Sequence, residues 1–153
     1  MKFFSSYYAQ IPNIPKDYIL VSISGDIPDY IKDQINIWDC RLAPNRDLFR
    51  EYKNSPKGRQ RENLFVQRFK NEVLTKYDIT EILKSWSDKC GLEQKYVLLC
   101  YEIPNCFCHR HIVAEALEKK YGIEIPEFGI DNLIYERRDY KIQLKDTLNE
   151  EEW

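Results

Sequence analysis

Lys95-Tyr96-Val97-Leu98-Leu99-Cys100-Tyr101-Glu102 is followed by Ile103-Pro104-Asn105-Cys106-Phe107 and then by Cys108-His109-Arg110-His111-Ile112-Val113-Ala114-Glu115-Ala116-Leu117. The first of these three parts is a dense apolar run around Val97-Leu98-Leu99. That density predicts a strand, Lys95–Tyr101, buried on both faces as in a parallel sheet. Pro104 and Asn105 make the second part a loop. In the third part Ile112, Val113, Ala116 and Leu117 form a core stripe, which predicts a helix over Cys108–Tyr121. Gly122 is its stop signal.

The same alternation extends upstream. Phe3–Ile11 is aromatic and β-prone and reads as a first strand, broken by Pro12 and Pro15. Tyr18–Ser24 is a second buried strand, closed by Gly25-Asp26, and Pro28 suits the first turn of a short helix. Asn36–Asp39 is a short strand and Asp47–Tyr52 a helix. Lys53–Gly58 is an exposed linker. Phe65, Phe69 and Val73 recur every four residues in a helix over Glu62–Tyr77. Asp78-Ile79-Thr80-Glu81 has the form of a capping box, opening a helix that runs to Cys90 and stops at Gly91. A late strand is expected around Tyr140, Ile142 and Leu144, as half of a hairpin across Arg137-Arg138-Asp139. The expected fold is therefore a Rossmann-like three-layer α/β domain, with a mostly parallel sheet flanked by helices. It occupies residues 1–148, and an acidic tail follows at 149–153.

Composition supports this. The 153 residues are 43% hydrophobic and 14% aromatic, enough for one core without a metal or disulfide. The net charge of -2 makes no global demand for nucleic acid or an acidic membrane. No apolar run reaches the ~18 residues of a membrane helix. Met1–Gln10 lacks the pattern of a secretory leader. The five cysteines have no small-scaffold spacing and read as reduced thiols. A cytoplasmic protein is expected, with a homodimer as the default assembly.

In open parallel sheets, ligands bind beyond the carboxyl ends of the strands. Two loops qualify: the one after Ser24 and the one after Tyr101. The segment Cys100–His111 around the second holds three of the five cysteines and both histidines, and it opens a helix, whose free N–H groups and dipole attract anions. Arg110 can clamp a phosphate or carboxylate. Cys108, in the first turn, has thiolate character as a nucleophile candidate, and Glu102 is a base or a ribose ligand. Cys100 reads as a core residue. His109 and His111, two apart, face different ways. Zinc held by Cys106, Cys108 and a histidine would need a second pair, and Cys40 and Cys90 stand alone. No cofactor or metal is expected. Ser22 and Ser24 can place hydroxyls beside a ligand, although Gly25-Asp26-Ile27 is not a phosphate loop. The stretch Arg41–Arg61 is locally basic around Tyr52, the composition of a nucleic-acid contact or of a solvated face.

The blocks Leu98–Glu102 and Phe107–Glu115, with their Cys-Tyr-Glu and Cys-His-Arg cores, resemble the signature of the domain of unknown function 488 family. Ser5–Ala9, Val21–Ser24, Leu42-Ala43-Pro44 and Phe69–Leu74 are similar to its weaker motifs, and the resemblance spans roughly Phe3 to Pro126. It implies an α/β fold and a site on Ser6, Ser22, Ser24, Cys100, Glu102, Cys108, His109 and Arg110. Where many relatives carry an arginine after the second strand's serines, this chain has Gly25. The family name assigns no reaction. The sequence thus leads to a phosphorylated or nucleotide-like ligand at residues 95–121, bound by an enzyme on nucleotides or nucleic acid, with Cys108 and Glu102 catalytic. The alternatives are a non-catalytic small-molecule binder and a protein-interaction domain.

Overall fold

The computed structural model describes residues 1–102, 107–128 and the backbone of a short strand at 134–135. Among the described residues, six strands form one sheet: β1 (Lys2–Tyr7), β2 (Ile19–Ser22), β3 (Ile37–Trp38), β4 (Lys95–Cys100), β5 (Glu127–Phe128) and β6 (Ile134–Tyr135). Their order is β3-β2-β4-β1-β5-β6. All neighbours are parallel except β5 and β6. The central strand β4 pairs with β1 from Lys2↔Lys95 to Tyr7↔Cys100 and with β2 from Ile19↔Tyr96 to Ser22↔Leu99. This is a single three-layer α/β domain, and its middle strand is the apolar run read first in the sequence.

The two faces are covered differently. Phe3, Val21, Ile23, Tyr96 and Leu98 pack against all four α-helices: α1 (Arg46–Asn54), α2 (Arg59–Phe69), α3 (Ile79–Cys90) and α4 (His109–Tyr121). Phe4, Leu20, Val97 and Leu99 instead meet Tyr8 and Ile11 of a 3-10 turn (Tyr8–Asn13) and Ile31 of another (Asp29–Gln34). The alternation along each strand sends successive side chains to opposite faces. Pro12 and Pro15 explain why the first strand ends at Tyr7 rather than Ile11: the chain turns into the 3-10 segment that contains Pro12.

Local signals set the helix ends. Asp78 accepts the Thr80 backbone N–H at the start of α3, and Gly122 takes φ +62 after α4, a left-handed conformation natural to glycine. The long helix expected to Tyr77 is α2 continued by one π-helical turn, Lys70–Leu74. Among the described residues no helix is long and apolar enough to cross a membrane. The expected late strand at Tyr140–Leu144, the hairpin turn Arg137–Asp139 and the acidic tail lie outside the described residues.

Candidate functional site

The carboxyl ends of β2 and β4 open into a cavity of about 430 Å³. Its walls come from four places. The turn after β2 gives Ser24, Gly25 and Asp26; the chain after β4 gives Tyr101 and Glu102; the approach to α4 gives Phe107, Cys108 and His109; α1 and α2 close the far side. Both loops selected by the carboxyl-end rule therefore meet at one site.

The wall from α1 follows from helical spacing. Arg46, Phe49 and Lys53 stand at i, i+3 and i+7, one face of the helix, and all three line the cavity with Tyr52. Tyr52 stacks on Phe107 with ring centroids 5.3 Å apart, and Phe65 meets both rings edge-on. Arg61 lies 4.0 Å over the outer side of this cluster, against Tyr52, and donates to the Tyr52 carbonyl at 3.2 Å. The aromatic wall is thus fixed before any ligand arrives. Burial pushes the Tyr52 hydroxyl above its ordinary pKa, so it stays a neutral donor.

The floor is made of sulfur and imidazole. Cys108 is the residue capping α4, and its Sγ lies 3.9 Å from Nδ1 of His109. His109 Nε2 is 2.6 Å from the Ile23 carbonyl oxygen. A carbonyl only accepts, so Nε2 carries the proton and Nδ1 is left with a lone pair beside the sulfurs. Burial, with Arg110 adding repulsion, brings the His109 pKa down to about 4. The ring is neutral at pH 7.

Cys100 and Cys108 are joined as a disulfide, which corrects the expectation of five free thiols. The cause is convergence: the end of β4 and the start of α4 bring the two side chains to the same point of the floor. Cys100 is buried, as expected of a core residue, yet it also lines the cavity. Cys108, expected as a nucleophile, is tied to it. Cys40 and Cys90 remain free thiols, and Cys106 is outside the described residues.

Arg110 corrects a second expectation. It is fully buried and does not reach the cavity. Its Nε donates to Glu127 Oε1, and its Nη1 donates to the Glu102 carbonyl at 2.6 Å and contacts Cys100 Sγ at 3.3 Å. Ser5 also donates to Glu127 Oε1. A desolvated guanidinium needs a carboxylate and full hydrogen bonding, and β5 supplies that carboxylate. Arg110 therefore holds the end of β4, the start of α4 and β5 together, away from the cavity. His111, facing another way than His109, lies 3.8 Å from the same Glu127 oxygen.

The serines divide. Ser24 lines the cavity; Ser6 and Ser22 are fully buried and do not. Tyr8 Oη bonds both Ser22, at 2.7 Å, and Ser24, which ties the β2 end to the 3-10 face. Of the residues expected at the site, Glu102, Cys108, His109 and Ser24 come together there, whereas Ser22 and Arg110 contact it from behind and Ser6 is buried in β1.

Sequence reasoning missed Arg46, Phe49, Tyr52, Lys53 and Phe65 as cavity residues. The basic stretch Arg41–Arg61 reads in the sequence as a nucleic-acid contact or a solvated face, not as a cavity wall. Within it Arg41 pairs with buried Asp39 and Arg61 covers Tyr52, so Arg46 and Lys53 are the members turned to the cavity. Their i, i+7 spacing about Phe49 was the available signal. No curated protein and no solved structure matches the chain. A family match does exist: it covers residues 12–121, leaving out β1 and Ser6, and spans more than half of the sequence. The chain therefore belongs to the DUF488-N3a family, described as the active DUF488-N3 subclade.

Proposed function

We propose that the chain binds a nucleotide-like ligand in the cavity at the ends of β2 and β4. One observation carries the reading: the cavity joins a preformed aromatic wall to two exposed cations on the same helix face. Phe107 and the exposed Phe49 line the cavity with ring surface for a base, braced by Tyr52 and Phe65, and stacking of this kind contributes about 1–3 kcal/mol per base. Arg46 and Lys53 stand on the α1 wall, where a phosphate can meet them. A volume of about 430 Å³ lies within the range of small-molecule sites. This keeps the ligand class inferred from the sequence and moves its anion contact from Arg110 to α1.

Catalysis on that ligand is the second reading. It is favoured by the His109 lone pair held beside Cys108, and by Glu102 on the adjoining wall. Once a dithiol reductant has opened the disulfide, the Cys108 thiol is a nucleophile candidate in the cavity floor. A phosphorylated ligand could equally be held without chemistry, and such a binder would need the aromatic wall and α1 but no thiol.

Mass spectrometry of small molecules released from the native purified protein tests the proposal. A retained nucleotide or nucleotide derivative supports it. A retained molecule with neither aromatic base nor phosphate would overturn it.

A further inference from the structure

We propose that Cys100, Cys108 and His109, in the dithiol state, form a binding site for one soft divalent cation, zinc by preference, in the floor of the cavity. The two sulfurs and a histidine nitrogen all lie within 4.8 Å of one another. Two thiolates and one imidazole with an open fourth position is a donor set that suits zinc.

Three features support an ion rather than a purely covalent pairing. The first is backbone spacing. Cys100 and Cys108 have Cα atoms 7.6 Å apart, wider than the roughly 4.4–6.8 Å that disulfides usually span. Two thiolates on one tetrahedral zinc stand about 3.8 Å apart, given Zn–S bonds of about 2.3 Å, so a cation between them uses that width. The second is the imidazole. The Ile23 carbonyl engages Nε2, which fixes the tautomer and leaves Nδ1 to bind, the usual support of a metal-ligating histidine. Nδ1 and Cys108 Sγ are 3.9 Å apart, close to the roughly 3.6 Å expected for nitrogen and sulfur on one tetrahedral zinc. The third is charge. Arg110 Nη1 lies 3.3 Å from Cys100 Sγ, so a buried guanidinium is in place to solvate the Cys100 thiolate once the disulfide is opened.

The fourth position faces the cavity, where water or a ligand oxygen can complete the tetrahedron. This donor set differs from one built on Cys106, and neither Cys40 nor Cys90 belongs to it. Loading is redox-gated. A dithiol reductant gives two electrons and two protons to the disulfide and closes to its own cyclic disulfide, and the cation then displaces the two thiol protons. Metal uptake does not rest on the nucleotide reading and is measured without any nucleotide.

The test uses the full chain, reduced with dithiothreitol, freed of reductant without air and titrated with cobalt(II) alone. One cobalt per chain is expected, with a thiolate-to-cobalt charge-transfer band that zinc bleaches. Cys108→Ser and Cys100→Ser should lower uptake at least tenfold, while Cys40→Ser and Cys90→Ser keep it. Should the cysteine variants fail to fold, the wild-type band decides: its absence, or its persistence in a folded Cys108→Ser protein, overturns the site. Nucleotide binding with no cobalt band would sink this inference alone.

Discussion

Arg110 and Glu127 form an ion pair with both side chains fully desolvated, linking the first turn of α4 to the short strand β5. The pair lies directly behind the cavity floor, because the same guanidinium reaches Cys100 Sγ and the Glu102 carbonyl. A buried ion pair thus braces the cavity floor from behind.

Removing one partner leaves the other charge buried and alone. Arg110→Met should cost about 3–5 kcal/mol of stability, read by urea denaturation. Adding Glu127→Gln should recover part of the loss, since the stranded carboxylate is then neutral. Arg110→Lys should not rescue, because an ammonium cannot keep the fork of contacts to Glu127, Glu102 and Cys100. An Arg110→Met protein of unchanged stability that has lost only ligand binding would restore the anion-clamp reading.

Gly25 lines the cavity with nothing within 4 Å of where a Cβ would stand, and its φ is not among the positive ones. Gly25→Arg should therefore change stability by less than about 0.5 kcal/mol. It should also tighten a phosphorylated ligand by about tenfold, the scale of one charge-assisted hydrogen bond. Thermal melting and ligand titration of the variant check both halves. Weaker binding by the folded variant would place the phosphate elsewhere.

Asp39 gives a pH dependence. Burial opposes its ionisation, but hydrogen bonds from the Arg41 side chain, from Trp86 Nε1–H at 2.7 Å and from the Arg41 backbone outweigh that, and the net shift is downward. A folded-state value below the unfolded one means that the ionised carboxylate stabilises above about pH 4 and loses this effect as the pH falls further. Asp39→Asn should thus be less stable than wild type at neutral pH, by about 1.5–3 kcal/mol for hydrogen bonds to a charged group. The gap should close as the pH falls below about 4. A gap that stays constant over that range would show that ionisation is not the source.

The parts of this fold readable in the sequence are those set by local physics. The apolar density around Val97-Leu98-Leu99 and Val21 marks strands buried on both faces, and Asp78 and Gly122 mark helix ends through bonds and torsions within a few residues. The site's location follows from the carboxyl-end rule. Arg110 was misplaced because an arginine at a helix start invites an anion reading, yet it stands at i, i+4 and i+7 with Ala114 and Leu117, all fully buried. That spacing puts it on the core side. Its partner was not legible: Glu127 is in a strand of two residues, too short for any periodicity, and it pairs with β1 in the Ser5↔Glu127 register. The cavity's aromatic wall likewise depends on α1, α2 and Phe107 meeting in space.

The most direct test of the nucleotide reading is isothermal titration of a panel of nucleoside 5′-monophosphates and 5′-diphosphates into the full chain and into Arg46→Ala/Lys53→Ala. Both replaced residues are exposed, so the variant should melt with wild type. The account predicts saturable binding of at least one member at one site per chain, weakened at least tenfold in the variant. Failure of every member to bind wild type, or equal affinity in the two proteins, would contradict it.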